Sequence, residues 1–109
     1  MHELAITESI VAAVREKLGG TPVRLVRVEV GRLSGVVPDA LRFCFEVATA
    51  GTPLEGAELD IIGQPGRGRC RDCGAEFDTD DWLALCDCGS ADVEVLGGRE
   101  LRIREVEVV

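Results

Sequence analysis

The chain has 109 residues, a formal net charge of -8 and a pI near 4.6, which allows one modest apolar core and a second, smaller unit closed by other means. That acidity excludes partners held through a phosphate field, so neither nucleic acid nor an anionic membrane surface is expected, and no stretch is long enough to span a bilayer. Charges at Glu3, Glu8, Arg15, Glu16 and Lys17 interrupt the first twenty residues, which lack the apolar core of a signal peptide; the chain is read as cytoplasmic, with its thiols reduced.

The first predicted element is a helix. Leu4, Ile6, Ile10, Val11, Val14 and Leu18 cover one side, Glu8, Ser9, Arg15 and Glu16 the other, and Gly19-Gly20 stops it. Residues 23 to 30 are rich in β-branched side chains and end at Gly31, which predicts a strand. Pro38 and Asp39 open a second helix with Leu41, Cys44, Phe45 and Ala48 as its apolar face, ended by Gly51. On that face Cys44 reads as a small buried hydrophobe. Ala57, Leu59 and Ile61 alternate with Glu58 and Asp60, giving a second strand and, if the two strands are parallel, a right-handed βαβ unit.

Residues 66 to 69, Gly-Arg-Gly-Arg, read as loop leading into the cysteine block. Residues 100 to 108 alternate again, but Leu101 and Ile103 are out of phase with Val106 and Val108; a one-residue bulge near Arg104-Glu105 restores all four to one face. Gly63, Pro65, Gly66, Gly68 and Gly97-Gly98 are expected as hinges around an insertion. The predicted fold is α+β: two helices packed on a small three-stranded sheet, with an inserted four-cysteine zinc-ribbon domain at 65–97 and a discontinuous larger domain of 1–64 plus 98–109.

Four of the five cysteines carry the strongest chemical signal. Cys70 and Cys73 form a Cys-x-x-Cys pair and, after twelve intervening residues, Cys86 and Cys88 form a Cys-x-Cys pair. Two close pairs on separate turns suit a tetrahedral zinc site, with iron in the same sulfur cage as the next reading. Gly74 and Gly89 follow the pairs, where a residue free to take positive φ lets N–H groups turn towards the thiolates. Arg67, Arg69 and Arg71 flank the site but are outnumbered by Asp72, Glu76, Asp78, Asp80, Asp81 and Asp87, which again disfavours nucleic acid.

His2 is the only histidine, which excludes histidine-based triads elsewhere. At a free terminus the Met1 amine, the His2 backbone nitrogen and His2 Nδ1 close a five-membered and a six-membered chelate ring, and the Glu3 backbone nitrogen or carboxylate completes a planar set. Such nitrogen and oxygen sets suit Ni(II) and Cu(II) and not zinc. By itself a histidine at position 2 also reads as an exposed, idle side chain, which leaves a plain zinc-ribbon interaction module. No paired carboxylates, nucleophile elbow or phosphate loop stands out, so an enzyme is not expected.

Met1-His2-Glu3-Leu4, Val28-Glu29-Val30-Gly31, Pro38-Asp39 with Leu41-Arg42-Phe43, the late cysteine block, Cys88-Gly89-Ser90 and Gly97-Gly98-Arg99-Glu100-Leu101 together resemble the HypA/HybF family of hydrogenase maturation nickel chaperones. The resemblance implies Ni(II) as cargo at Met1, His2 and Glu3, and structural Zn(II) held by Cys70, Cys73, Cys86 and Cys88. It also implies a nickel-insertion GTPase partner, delivery to the large subunit of NiFe hydrogenase, a role for some members with urease maturation proteins, and a monomer or homodimer. The Cys86-Asp87-Cys88 spacing departs from the family's usual Cys-x-x-Cys.

Overall fold

The structure, a computed structural model, describes residues 2–81 and 83–109. Among the described residues, two helices and six strands follow in order: α1 (Glu3–Leu18), β1 (Val23–Gly31), α2 (Pro38–Thr49), β2 (Glu58–Gln64), β3 (Gly66–Cys70), β4 (Glu76–Thr79), β5 (Val93–Gly97) and β6 (Leu101–Val108). They form two three-stranded sheets, β2-β1-β6 and β4-β3-β5. The chain divides into two compact units, one of Met1–Glu29, Val36–Ile62 and Arg102–Val109, the other of Val30–Gly35 and Gly63–Leu101. The second therefore takes in residues 30–35, the turn after β1, as well as the stretch between β2 and β6.

In the first unit, pairings from β1 towards β2 climb together: the Val23 N–H donates to the Pro53 carbonyl and Arg27 pairs with Asp60. This is the parallel sense that a helical crossover permits. Pairings from β1 to β6 run oppositely, with Arg24 on Glu107, Arg27 on Glu105 and Glu29 on Arg104. Ile10, Val11 and Val14 of α1, Leu41 and Phe45 of α2, Val26 and Val28 of β1, and Leu59 of β2 are buried, and α1 packs on α2. Arg104 and Glu105 are sequence neighbours, yet both reach β1 side chains; charges from both phases of β6 thus share one face, as the expected bulge requires.

Helix α1 buries Ile10, Val11 and Val14 as expected, but its first turns depart from the expected stripe. Leu4 is exposed, whereas Glu3 and Thr7 are buried. Both polar groups are satisfied: Thr7 Oγ1 donates to the Leu4 carbonyl at 2.8 Å, and the Glu3 carboxylate accepts the Val37 N–H at 3.1 Å. Helix α2 begins with Pro38 and has no side-chain cap of its own on Val37, so Glu3 places an anion at its positive end. The Thr49 hydroxyl, buried on the inner face of α2, donates to the Phe45 carbonyl at 2.7 Å. Cys44 is half-buried beside that face and not fully enclosed as expected.

The second unit corrects the reading of residues 66–69 as loop. They belong to β3, the central strand of the β4-β3-β5 sheet. Gly66 and Gly68 face inward because there is no room for a side chain: a Cβ on Gly66 would lie 2.4 Å from Leu33 Cδ1, and one on Gly68 would lie 2.7 Å from Val93 Cγ1. Those glycines are packing surfaces within a strand, not hinges. Leu33, almost wholly buried, is held by its N–H donating to the Gly98 carbonyl at 2.8 Å.

Candidate metal centre

Two turns present the cysteines. In the first, the Gly74 N–H donates to the Cys70 carbonyl at 2.9 Å and the Cys73 N–H points at Cys70 Sγ at 3.4 Å. In the second, the Gly89 N–H donates to the Cys86 carbonyl and the Cys86 N–H to the Ser90 carbonyl, both at 2.9 Å. Gly74 and Gly89 have φ of +78° and +93°, so both turns close through the left-handed region that only glycine enters cheaply. Each turn offers one buried sulfur, Cys70 or Cys86, and one exposed sulfur, Cys73 or Cys88. The shortened second spacing does not keep Cys88 out of the cluster.

All four sulfurs lie within 4.8 Å of one another, with Cys70 to Cys88 at 3.7 Å and Cys73 to Cys86 at 3.5 Å. A zinc tetrahedron with Zn–S bonds of about 2.3 Å has sulfur–sulfur edges of about 3.8 Å, so the donor set fits the ion. None of these thiols is in a disulfide. The Cys70 thiol is lowered to about 6, chiefly by the Cys73 N–H, against the opposing effect of desolvation. The other three are pushed up; at Cys73 the Ala75 N–H pulls down, but the neighbouring Cys86 and Cys70 sulfurs outweigh it. One sulfur is thus ready as thiolate, and the rest release their protons to solvent when a cation binds.

Further contacts tie the two turns together. Ser90, just past the second turn, donates to the Asp72 carboxylate inside the first, and the Asp92 N–H donates to Ser90 Oγ at 3.0 Å. Arg71 pairs with Asp92 at 2.9 Å, Arg67 with Asp78 at 2.9 Å, and Arg69 with Glu76 at 3.6 Å. The three arginines are therefore committed to neighbouring acids and form no basic patch. The sequence shows each of these residues, but it does not reveal which acid each base meets.

The nickel candidates stand in the other unit. His2 is exposed and precedes α1, its carbonyl accepting the Ile6 N–H at 3.0 Å. The Glu3 carboxylate is engaged with Val37, and its pKa is lowered first by that N–H and then by its own backbone. Met1 lies outside the described residues. Among the described residues no helix is long and apolar enough to cross a membrane.

The family model described as "Hydrogenase/urease nickel incorporation, metallochaperone, hypA" matches residues 1–108. The chain is 49% identical over 108 residues to the hydrogenase maturation factor HypA of Nostoc punctiforme, covering 99% of this chain and 96% of that one. With the factor of the same name from Geotalea uraniireducens it is 50% identical over 109 residues, covering 99% of both. The solution structure of the Ni metallochaperone HypA from Helicobacter pylori shares the fold, with a TM-score of 0.67 at 23% identity over 100% of this chain and 98% of that one. Matched from its first turn through its last strand, the chain belongs to the HypA family of metallochaperones for nickel incorporation.

Proposed function

We propose that the chain works in the cytoplasm, where it carries Ni(II) at Met1, His2 and Glu3 and delivers it, with a GTPase partner, to the large subunit of a NiFe hydrogenase. The observation that carries this is an exposed histidine directly before α1 in a member of a nickel-incorporation family. The amides of His2 and Glu3 precede the first bond of the helical ladder, from the Ile6 N–H to the His2 carbonyl, so their nitrogens lie outside that ladder. With the Glu3 carboxylate turned to Val37, the donors are the Met1 amine, the two backbone nitrogens and the His2 imidazole, a set that suits Ni(II). Hydrogenase is favoured over urease as client because the curated relatives are named hydrogenase maturation factors.

Cys70, Cys73, Cys86 and Cys88 hold zinc, which supplies a cross-link between two turns and no reaction step. A terminal site with few ligands gives the access and release that a carrier needs, whereas the sulfur cage retains its ion. Adding one residue ahead of Met1 tests the nickel assignment: the amine then leaves the chelate ring, and nickel affinity falls while zinc content stays at one per chain. Equal nickel binding by the extended and native forms would refute it.

A further inference from the structure

Strand β6 lies at the edge of the β2-β1-β6 sheet, and its sequence is complementary to itself. Leu101-Arg102-Ile103-Arg104 is followed by Glu105-Val106-Glu107-Val108, so bases in the first half mirror acids in the second. Two copies laid antiparallel about a twofold axis between residues 104 and 105 oppose Arg104 to Glu105, Ile103 to Val106, Arg102 to Glu107 and Leu101 to Val108. Twofold symmetry makes each pairing occur twice. A slip of two residues either way opposes Ile103 to Arg104 or Glu105 to Val106, so one register is favoured.

The three-dimensional arrangement supports that register. Arg102 and Arg104 reach Glu29, Glu105 reaches Arg27 and Glu107 reaches Arg24, which puts all four charges on one face. Arg104 and Glu105 keep 58% and 45% of their side-chain surface exposed, leaving donors and acceptors open to a second partner. On the opposite face, Ile103, Val106 and Val108 line an open groove of about 390 Å³ with Val14 and Leu18 of α1. In the twofold arrangement charge meets charge on the outer face and apolar meets apolar beside the groove.

We propose that β6 pairs with β6 of a second copy, joining two sheets into one of six strands in the order β2-β1-β6-β6-β1-β2. The occupant of the edge is another copy because the complementarity is to β6 itself. An eight-residue edge is a template for strand addition, and self-pairing covers it with the apolar groove alongside.

Sedimentation of the zinc-loaded full chain tests this. The native protein is expected at twice its 11.7 kDa chain mass at micromolar concentration. Arg104→Glu and Glu105→Arg each turn both central pairs into like charges, raising the dissociation constant at least about tenfold. Mixed one to one they recover the dimer, since one chain then presents acids at both central positions and the other presents bases at both. Glu58→Arg, on the opposite edge strand β2, leaves the dimer intact. Zinc content and circular dichroism establish that each variant is folded. A monomeric native chain, single variants that dimerise as well as native, or folded single variants that fail to form a mixed dimer would each overturn the proposal.

Discussion

Replacing Gly98 by alanine strikes a point where three stretches of backbone converge in the second unit. Gly98 has φ of +102°, beyond the roughly +50° to +70° that other residues tolerate, and a Cβ there would lie 2.4 Å from Gly66 Cα and 3.1 Å from the Pro65 carbonyl oxygen. Gly31 has no such φ, but its Cβ would lie 2.0 Å from the Gly98 carbonyl oxygen. Gly74 has φ of +78° and open space around it. The three substitutions therefore separate strain from crowding. Gly74→Ala carries strain alone, about 1–2 kcal/mol; Gly31→Ala carries crowding alone, about 1–3 kcal/mol; Gly98→Ala carries both, about 2–6 kcal/mol. Thermal unfolding in saturating zinc reads the difference, each kcal/mol moving Tm by about 4–8 °C in a domain of this size. If Gly98→Ala and Gly31→Ala melt no lower than Gly74→Ala, the close approach of these backbones is wrong.

Removing the Phe45 side chain, which is 2% exposed, is expected to cost about 3–5 kcal/mol, seen as a lower urea midpoint with unchanged zinc content. Ser90→Ala removes the tie to Asp72 and should weaken zinc about tenfold in a chelator competition, while a Ser90→Thr chain that keeps the hydroxyl should not. Zinc binding releases protons, so affinity falls with pH and falls more steeply below about 6, where the Cys70 thiolate is itself protonated; a proton count by calorimetry in two buffers checks this. Because Glu3 has a lowered folded-state pKa, its contribution is full above the ordinary carboxylate range and is lost as pH falls through the folded-state value. Glu3→Gln should therefore flatten the acid limb of the stability curve, and an unchanged limb would show that the Val37 contact does not matter.

The elements around the first core were legible because their signals are local. Gly19-Gly20, Pro38 and Gly51 mark helix ends, β-branched residues mark β1, and alternation marks β2 and β6. The cysteine cluster was legible for a similar reason: two tight pairs can reach one point whatever lies between them. The misreadings came from partners far away in sequence. Residues 66–69 looked like loop because glycine is poor in strands, yet Leu33 and Val93 occupy the space their side chains would need. Leu4 was expected on the buried face, where Glu3 and Thr7 lie instead, because hydrophobicity does not register a carboxylate satisfied by Val37, thirty-four positions along. Membership of the second unit by residues 30–35 likewise depends on bonds from Arg32 to Gln64 and from Leu33 to Gly98, which no local pattern announces.

The central claim is that nickel rides on the N-terminal residues while zinc stays in the cysteine cluster. Titrating Ni(II) into zinc-loaded protein whose first residue is Met1, beside the same protein carrying His2→Ala, tests it with bound-metal counting and the ligand-field spectrum. The expected result is one nickel per native chain beyond the zinc, with that nickel lost and the zinc retained in His2→Ala; equal nickel binding by both chains would contradict it.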